Sequence, residues 1–153
     1  MWCRKNITAE KKFHSVKNNV IAGLEDREIK YLGATRRGKD HDKRIADEEG
    51  VKVPEGYEIY RDLGYLGHEA GDGAVVHQPK KKPRGKPLSD KDKAHNHAIS
   101  SIRVVIEHVN SGIKRCRCVK DIFRNYVEDF DDLVMEIACG LHNLRTAMRI
   151  KSY

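Results

Sequence analysis

The stretch Pro79-Lys80-Lys81-Lys82-Pro83-Arg84-Gly85-Lys86-Pro87 does most to limit how this chain can fold. Each proline lacks a backbone N–H and fixes its φ, so neither a helix nor a central strand can run through it. The break divides a chain of 153 residues, a length that suggests one domain, into two halves of different rhythm. Upstream, short apolar segments are separated by turn residues. Downstream, apolar residues recur at helical spacing.

In the upstream half, residues 1–10 are polar and short of core material, and read as an irregular start. Residues 13–23 alternate loosely around Phe13, Val16, Val20 and Ile21 and predict a strand. Gly23-Leu24-Glu25-Asp26 predicts a turn and residues 28–35 the returning strand. Asp40 or His41 caps a short helix over residues 42–49, which Gly50 ends. Residues 57–60 form a short strand that delivers Asp62 to its end, before an irregular, glycine-rich stretch.

Beyond the prolines, Ser89 with Asp92 three residues on resembles a capping box. The helix it starts continues to about Lys114, burying Ile99, Ile102, Val105, Ile106, Val109 and Ile113. Arg103, Glu107, Asn110 and Lys114 form a separate stripe beside that face. A last helix is expected to bury Leu133, Val134, Ile137, Ala138, Leu141 and Leu144. Asp131 and Asp132 suit its start, Arg145 and Arg149 its end. Short strands followed by long helices make the fold class α/β.

Composition narrows the chemistry. The net charge of +7 fits either a solvated basic surface or a polyanionic partner. Lys80, Lys81, Lys82, Arg84 and Lys86 place five cations in seven residues, a cluster suited to a nucleic-acid backbone and not to reading bases. No run of about 18 apolar residues is present to span a membrane. The N-terminus lacks the apolar core of a signal peptide, which argues for the cytoplasm. Cys116 and Cys118 are too close for a zinc knuckle, and no nucleophile triad or nucleotide loop is visible.

Asp62 at a strand end and Glu107 on a packed helix are rigidly held carboxylates of the kind that bind magnesium for phosphodiester chemistry. Four ordered segments carry a family likeness. They are Phe13-His14-Ser15-Val16-Lys17, then Gly38-Lys39-Asp40-His41-Asp42, then Asp62-Leu63-Gly64-Tyr65-Leu66-Gly67. The fourth runs from Lys81-Lys82-Pro83-Arg84-Gly85-Lys86 through Asn96 to Arg103-Val104-Val105-Ile106-Glu107-His108. Lys114-Arg115, Arg124-Asn125 and the segment from Ile137 to Leu144 extend it. The chain resembles the catalytic domain of DDE transposases, in the insertion-sequence and Harbinger-like branch.

The resemblance implies a ribonuclease-H-like mixed sheet flanked by helices, with residues 11–153 as part of a catalytic domain. It implies a divalent cation, Mg2+ or Mn2+, held by Asp62 and Glu107 as catalytic and metal-binding residues. It implies DNA, as transposon ends and target, as partner, with Lys80, Lys81, Lys82, Arg84, Lys86, Arg103 and Lys114 as nucleic-acid contacts, and it allows a homodimer. Asp62 and Glu107 match the family's second and third acids. The first belongs on an earlier strand, and residues 1–8 hold no acid. The first catalytic strand is therefore expected to be missing. The alternative is a non-catalytic nucleic-acid-binding fragment.

Overall fold

A computed structural model of the chain describes residues 2–8, 16–120 and 127–150, with residues 2–8, 120 and 150 described by their backbone only. Among the described residues, six strands form one sheet: β1 (Trp2–Thr8), β2 (Val16–Gly23), β3 (Ile29–Leu32), β4 (Arg36–Arg37), β5 (Glu58–Arg61) and β6 (Val75–His77). Their order is β3-β2-β1-β5-β6, with β4 paired to β2. β2 runs antiparallel to β1 and β3, whereas β5 runs parallel to both β1 and β6. The described residues also form four α-helices: α1 (Asp42–Glu49), α2 (Asp90–Ile113), α3 (Arg117–Lys120) and α4 (Phe130–Ile150).

The irregular start expected over residues 1–10 is corrected by this sheet. Trp2–Thr8 is its central strand, in register with β2 from Trp2 opposite Gly23 to Thr8 opposite Lys17, and with β5 from Trp2 opposite Ile59 to Arg4 opposite Arg61. Its composition hides it, because pairing on both edges satisfies its backbone groups without an apolar alternation of its own. The strand carries no Asp or Glu. The short strands β4 and β6 were likewise not expected from their polar and glycine-rich surroundings. Of the motifs singled out above, Phe13, His14, Ser15, Arg124 and Asn125 lie outside the described residues.

The pleat of β2 sorts the two sides of the sheet. Val20 and Ala22 join Tyr60 of β5 in a core with Ile99, Ile106, Val109 and Ile113 of α2 and Met135, Ala138 and Cys139 of α4. Lys17 and Asn19, one residue out of phase, reach α1 instead, through Asp42 and Glu49. Alternation in β5 points Tyr60 toward α2 and Arg61 the other way, where Arg61 donates to the His68 carbonyl at 2.8 Å. Asp62, two residues beyond Tyr60, returns to the α2 side.

The helix ends follow their sequence signals. Gly50 ends α1 in the left-handed region, at φ 60°. His41 precedes α1 without a side-chain capping bond. Ser89 accepts a hydrogen bond from the Asp92 N–H at 3.1 Å and starts α2.

The rotation of α4 is the largest departure from expectation. Ala138 is buried and Val134 packs against the core, but Leu133, Ile137, Leu141 and Leu144 are exposed. The buried face is Met135, Ala138, Cys139 and His142. Hydrophobic patterning favours the leucine face, yet the helix is turned away from it. Polar anchors decide the rotation. Asn143 accepts from the Ile29 N–H at 2.8 Å and donates to the Ile29 carbonyl at 3.0 Å. His142 Nε2 meets the Arg27 carbonyl at 3.0 Å. Gly112 of α2 leaves room for that imidazole, since a Cβ there would lie 2.3 Å from His142 Nδ1. Asp132 accepts from the Thr35 N–H at 2.6 Å. Turning the leucine face inward would break all of these bonds.

Candidate active site

The segment Asp62 to His68 shows how local sequence builds the site. After β5, Asp62 caps a 3-10 turn (Leu63–Tyr65), its Oδ1 accepting from the Leu63 N–H at 2.7 Å. Gly64 packs against Asp42, whose Oδ2 would lie 2.5 Å from a Cβ at that position. Asp42 is fixed in turn by Lys17 at 2.9 Å, and Lys17 also donates to the Asp40 carbonyl. Tyr65 is fully buried and its hydroxyl donates to Asn19 Oδ1 at 2.7 Å. Gly67 turns the chain at φ 80°. His68 is buried against Asp47, Nδ1 to Oδ1 2.7 Å. Lys43 and then His68 hold the Asp47 carboxyl below its usual range. Most of the motif is therefore scaffold, and Asp62 is its member on the α2 side.

Three links close a ring around Asp62. Gln78, just after β6, donates through Nε2 to the Asp62 carbonyl at 2.7 Å. Two residues later, Asn96 of α2 clasps the Lys80 backbone, accepting from its N–H at 2.8 Å and donating to its carbonyl at 3.0 Å. Arg103, two turns further along α2, returns to Asp62 with NH2 to Oδ2 2.8 Å. The basic loop thus leaves the domain right beside Asp62. Gln78 and Asn96 are the residues that do this. Asn96 belonged to the motif series without a role, and nothing in the sequence near Gln78 marks it.

The predicted site residues are brought together unevenly. Asp62 and Arg103 are in contact and half-buried. Glu107 is exposed, one turn beyond Arg103, a rise of about 6 Å along the axis. Asn110 follows on the same stripe, buried, with an Oδ1 that has no hydrogen-bond partner. Lys81, Lys82, Arg84 and Lys86 are exposed in the loop. Lys80 is engaged with Asp92, and this, together with Ser89, keeps the Asp92 carboxyl below its usual range. Lys114 ends α2, roughly 16 Å along the axis from Arg103, and stands apart from the rest.

The donors fit a hard divalent cation in kind. Two carboxylates, from a strand end and a packed helix, are oxygen ligands, and magnesium is commonly held by one or two protein carboxylates with water and phosphate completing its shell. They do not form a protein cage. Among the described residues no group of three or more His, Cys, Asp or Glu is gathered for a metal. Both Asp62 oxygens also have protein donors, Leu63 N–H and Arg103.

β5 thus leads into a capped acid, then the basic loop, then the acid-bearing helix α2. Residues 7–143 match the family described as DDE superfamily endonuclease, and the chain belongs to that family. It is 29% identical over 140 residues to a protein of Microchaete diplosiphon described as "Probable transposase for insertion sequence element IS702". That match covers 89% of this chain and 48% of the relative, so the chain spans about half the length of the curated relative it matches. No solved structure matches. Among the described residues, no helix is long and apolar enough to cross a membrane.

Proposed function

We propose that this chain is the catalytic-domain part of a DDE transposase, ribonuclease-H-like in fold, acting on DNA phosphodiesters in transposition. The observation that carries this reading is the ring joining Asp62, the start of the basic loop and Arg103 of α2, with Glu107 one turn further along that helix. Asp62 and Glu107 would hold the divalent cation, Mg2+ or Mn2+. When bound, the cation supplies a polarised phosphorus–oxygen bond and an activated water or hydroxyl for cleavage and strand transfer.

The chain's own residues prepare that chemistry. Lys81, Lys82, Arg84 and Lys86 draw the DNA backbone toward the site by replacing its counterions. Arg103 neutralises Asp62 while no DNA is present. An incoming phosphate offers its guanidinium a second, geometrically suited anion, and the exchange releases Asp62 Oδ2. Gln78 keeps the Asp62 backbone in place during that exchange. Titration calorimetry with manganese tests the site. Heat of binding in wild type that disappears in the Asp62→Ala, Glu107→Ala double variant supports it. No heat, or unchanged binding in the variant, refutes it.

A second reading rests on the acid-free β1. With no carboxylate on the strand beside β5, the domain serves as a nucleic-acid-binding module without chemistry of its own. It then binds DNA in a salt-dependent way and leaves strand-transfer substrates intact with or without magnesium.

A further inference from the structure

We propose that the outer face of α4 is a self-association surface on which a second copy of this chain docks antiparallel. The face carries Leu133, Ile137, Leu141, Leu144 and Met148, which are 48%, 54%, 45%, 59% and 62% exposed. Their spacing of four, four, three and four residues keeps them on one stripe roughly 22 Å long. Continuous apolar stripes of this size on a helix mark contact surfaces. The polar anchors on Ile29 and Arg27 fix the stripe outward, so it cannot be buried by rotating the helix.

The order of residues points to the occupant. Reversed about a point between Gly140 and Leu141, the stripe superposes on itself. Leu133 then faces Met148 of the second copy, and Ile137 faces Leu144. Leu141 meets Gly140, where an added Cβ would touch nothing within 4 Å. The glycine therefore leaves a hollow at the centre that the second copy's leucine fills, and the contact is isologous, as a closed dimer requires. Charge favours the same direction. Exposed Glu136 lies in the first half of the helix and exposed Arg149 in the second, while Asp132 and Arg145 are held within the fold by Thr35 and Gly112. Antiparallel pairing sets acidic half against basic half and opposes the helix dipoles favourably, whereas parallel pairing sets like against like. The stripe also runs into an open cleft of about 210 Å³ beside Arg115 and Cys116, which widens the apolar area. Five half-exposed side chains in each copy provide roughly 1,000 Å² over the two, the scale at which specific association starts.

Sedimentation velocity over a micromolar concentration series tests the proposal. The wild-type chain should show a concentration-dependent dimer. Ile137→Lys with Leu144→Lys should be monomeric throughout, with the same circular-dichroism melt as wild type below the concentration at which wild type associates. Gly140→Leu should also be monomeric: its new side chain enters open space in the single copy but fills the hollow at the dyad. A photo-crosslinking residue at position 133 should capture the segment around Met148 of the second copy. A wild-type monomer at every concentration overturns the proposal, as does a dimer that survives both variants. Capture of the segment around Leu133 overturns the antiparallel direction.

Discussion

Asn143→Ala tests whether polar anchors, and not hydrophobicity, set the rotation of α4. The Asn143 amide makes both of its hydrogen bonds to one residue, Ile29, at 2.8 Å and 3.0 Å. β3 ends the sheet order, so this side chain stands where a further strand would otherwise pair. Alanine removes both bonds, each with a net value of about 1 kcal/mol. The Ile29 peptide groups are half-buried beneath α4, so water replaces the amide incompletely and adds up to about 2 kcal/mol of desolvation cost. The expected loss is roughly 2–4 kcal/mol, a large share of the 5–15 kcal/mol typical of a domain. Urea unfolding, run below the concentration at which the chain associates, reads it directly. With a slope of about 2 kcal/mol per molar, the midpoint falls by about 1–2 M and the slope is unchanged. Asn143→Asp keeps the acceptor for the Ile29 N–H and loses the donor, so it should fall between alanine and wild type. An alanine variant within about 0.5 kcal/mol of wild type refutes the reasoning, since that is the ordinary range for a surface change.

Further outcomes follow from particular contacts. If the basic loop meets phosphates, the slope of log K against log salt for duplex DNA should drop by about 2–3 in a Lys81→Ala, Lys82→Ala, Arg84→Ala variant. Lys80→Ala alone should change the slope far less than any one of the three, because Asp92 already engages its ammonium; an equal effect refutes this. Burial, with a smaller contribution from Cys116, pushes the Cys139 thiol up to about 12 from its ordinary 9.0. The unfolded chain therefore sheds this proton near 9 while the folded chain keeps it to about 12, so stability should fall as pH rises above about 9. In mildly alkaline iodoacetamide, exposed Cys118 should be alkylated long before Cys139, with peptide mass spectrometry following each; equal rates would show that Cys139 is not sealed in the core.

Much of the site can be read along the chain because its signals are local. Pro83 and Pro87 exclude regular structure whatever surrounds them, and Ser89 caps α2 through a bond three residues away. The capped acid after β5 and the Arg103–Glu107 spacing on α2 are likewise short-range features. The links between these pieces are not local. Gln78 reaches Asp62 and Arg103 reaches Asp62 across gaps that only the folded sheet closes.

By itself the sequence determined the break at residues 79–87, the ends of α1 and α2 and the buried side of α2. Each follows from backbone chemistry or from helical period within a few residues. Tertiary structure alone decided that Trp2–Thr8 is the central strand, because its pairing comes from β2 and β5 and not from its own side chains. It alone turned α4 so that Leu133, Ile137, Leu141 and Leu144 face outward. The helix's own aliphatic residues favour the leucine face, and the hydrogen bonds of Asn143, His142 and Asp132 to distant backbone groups override that preference.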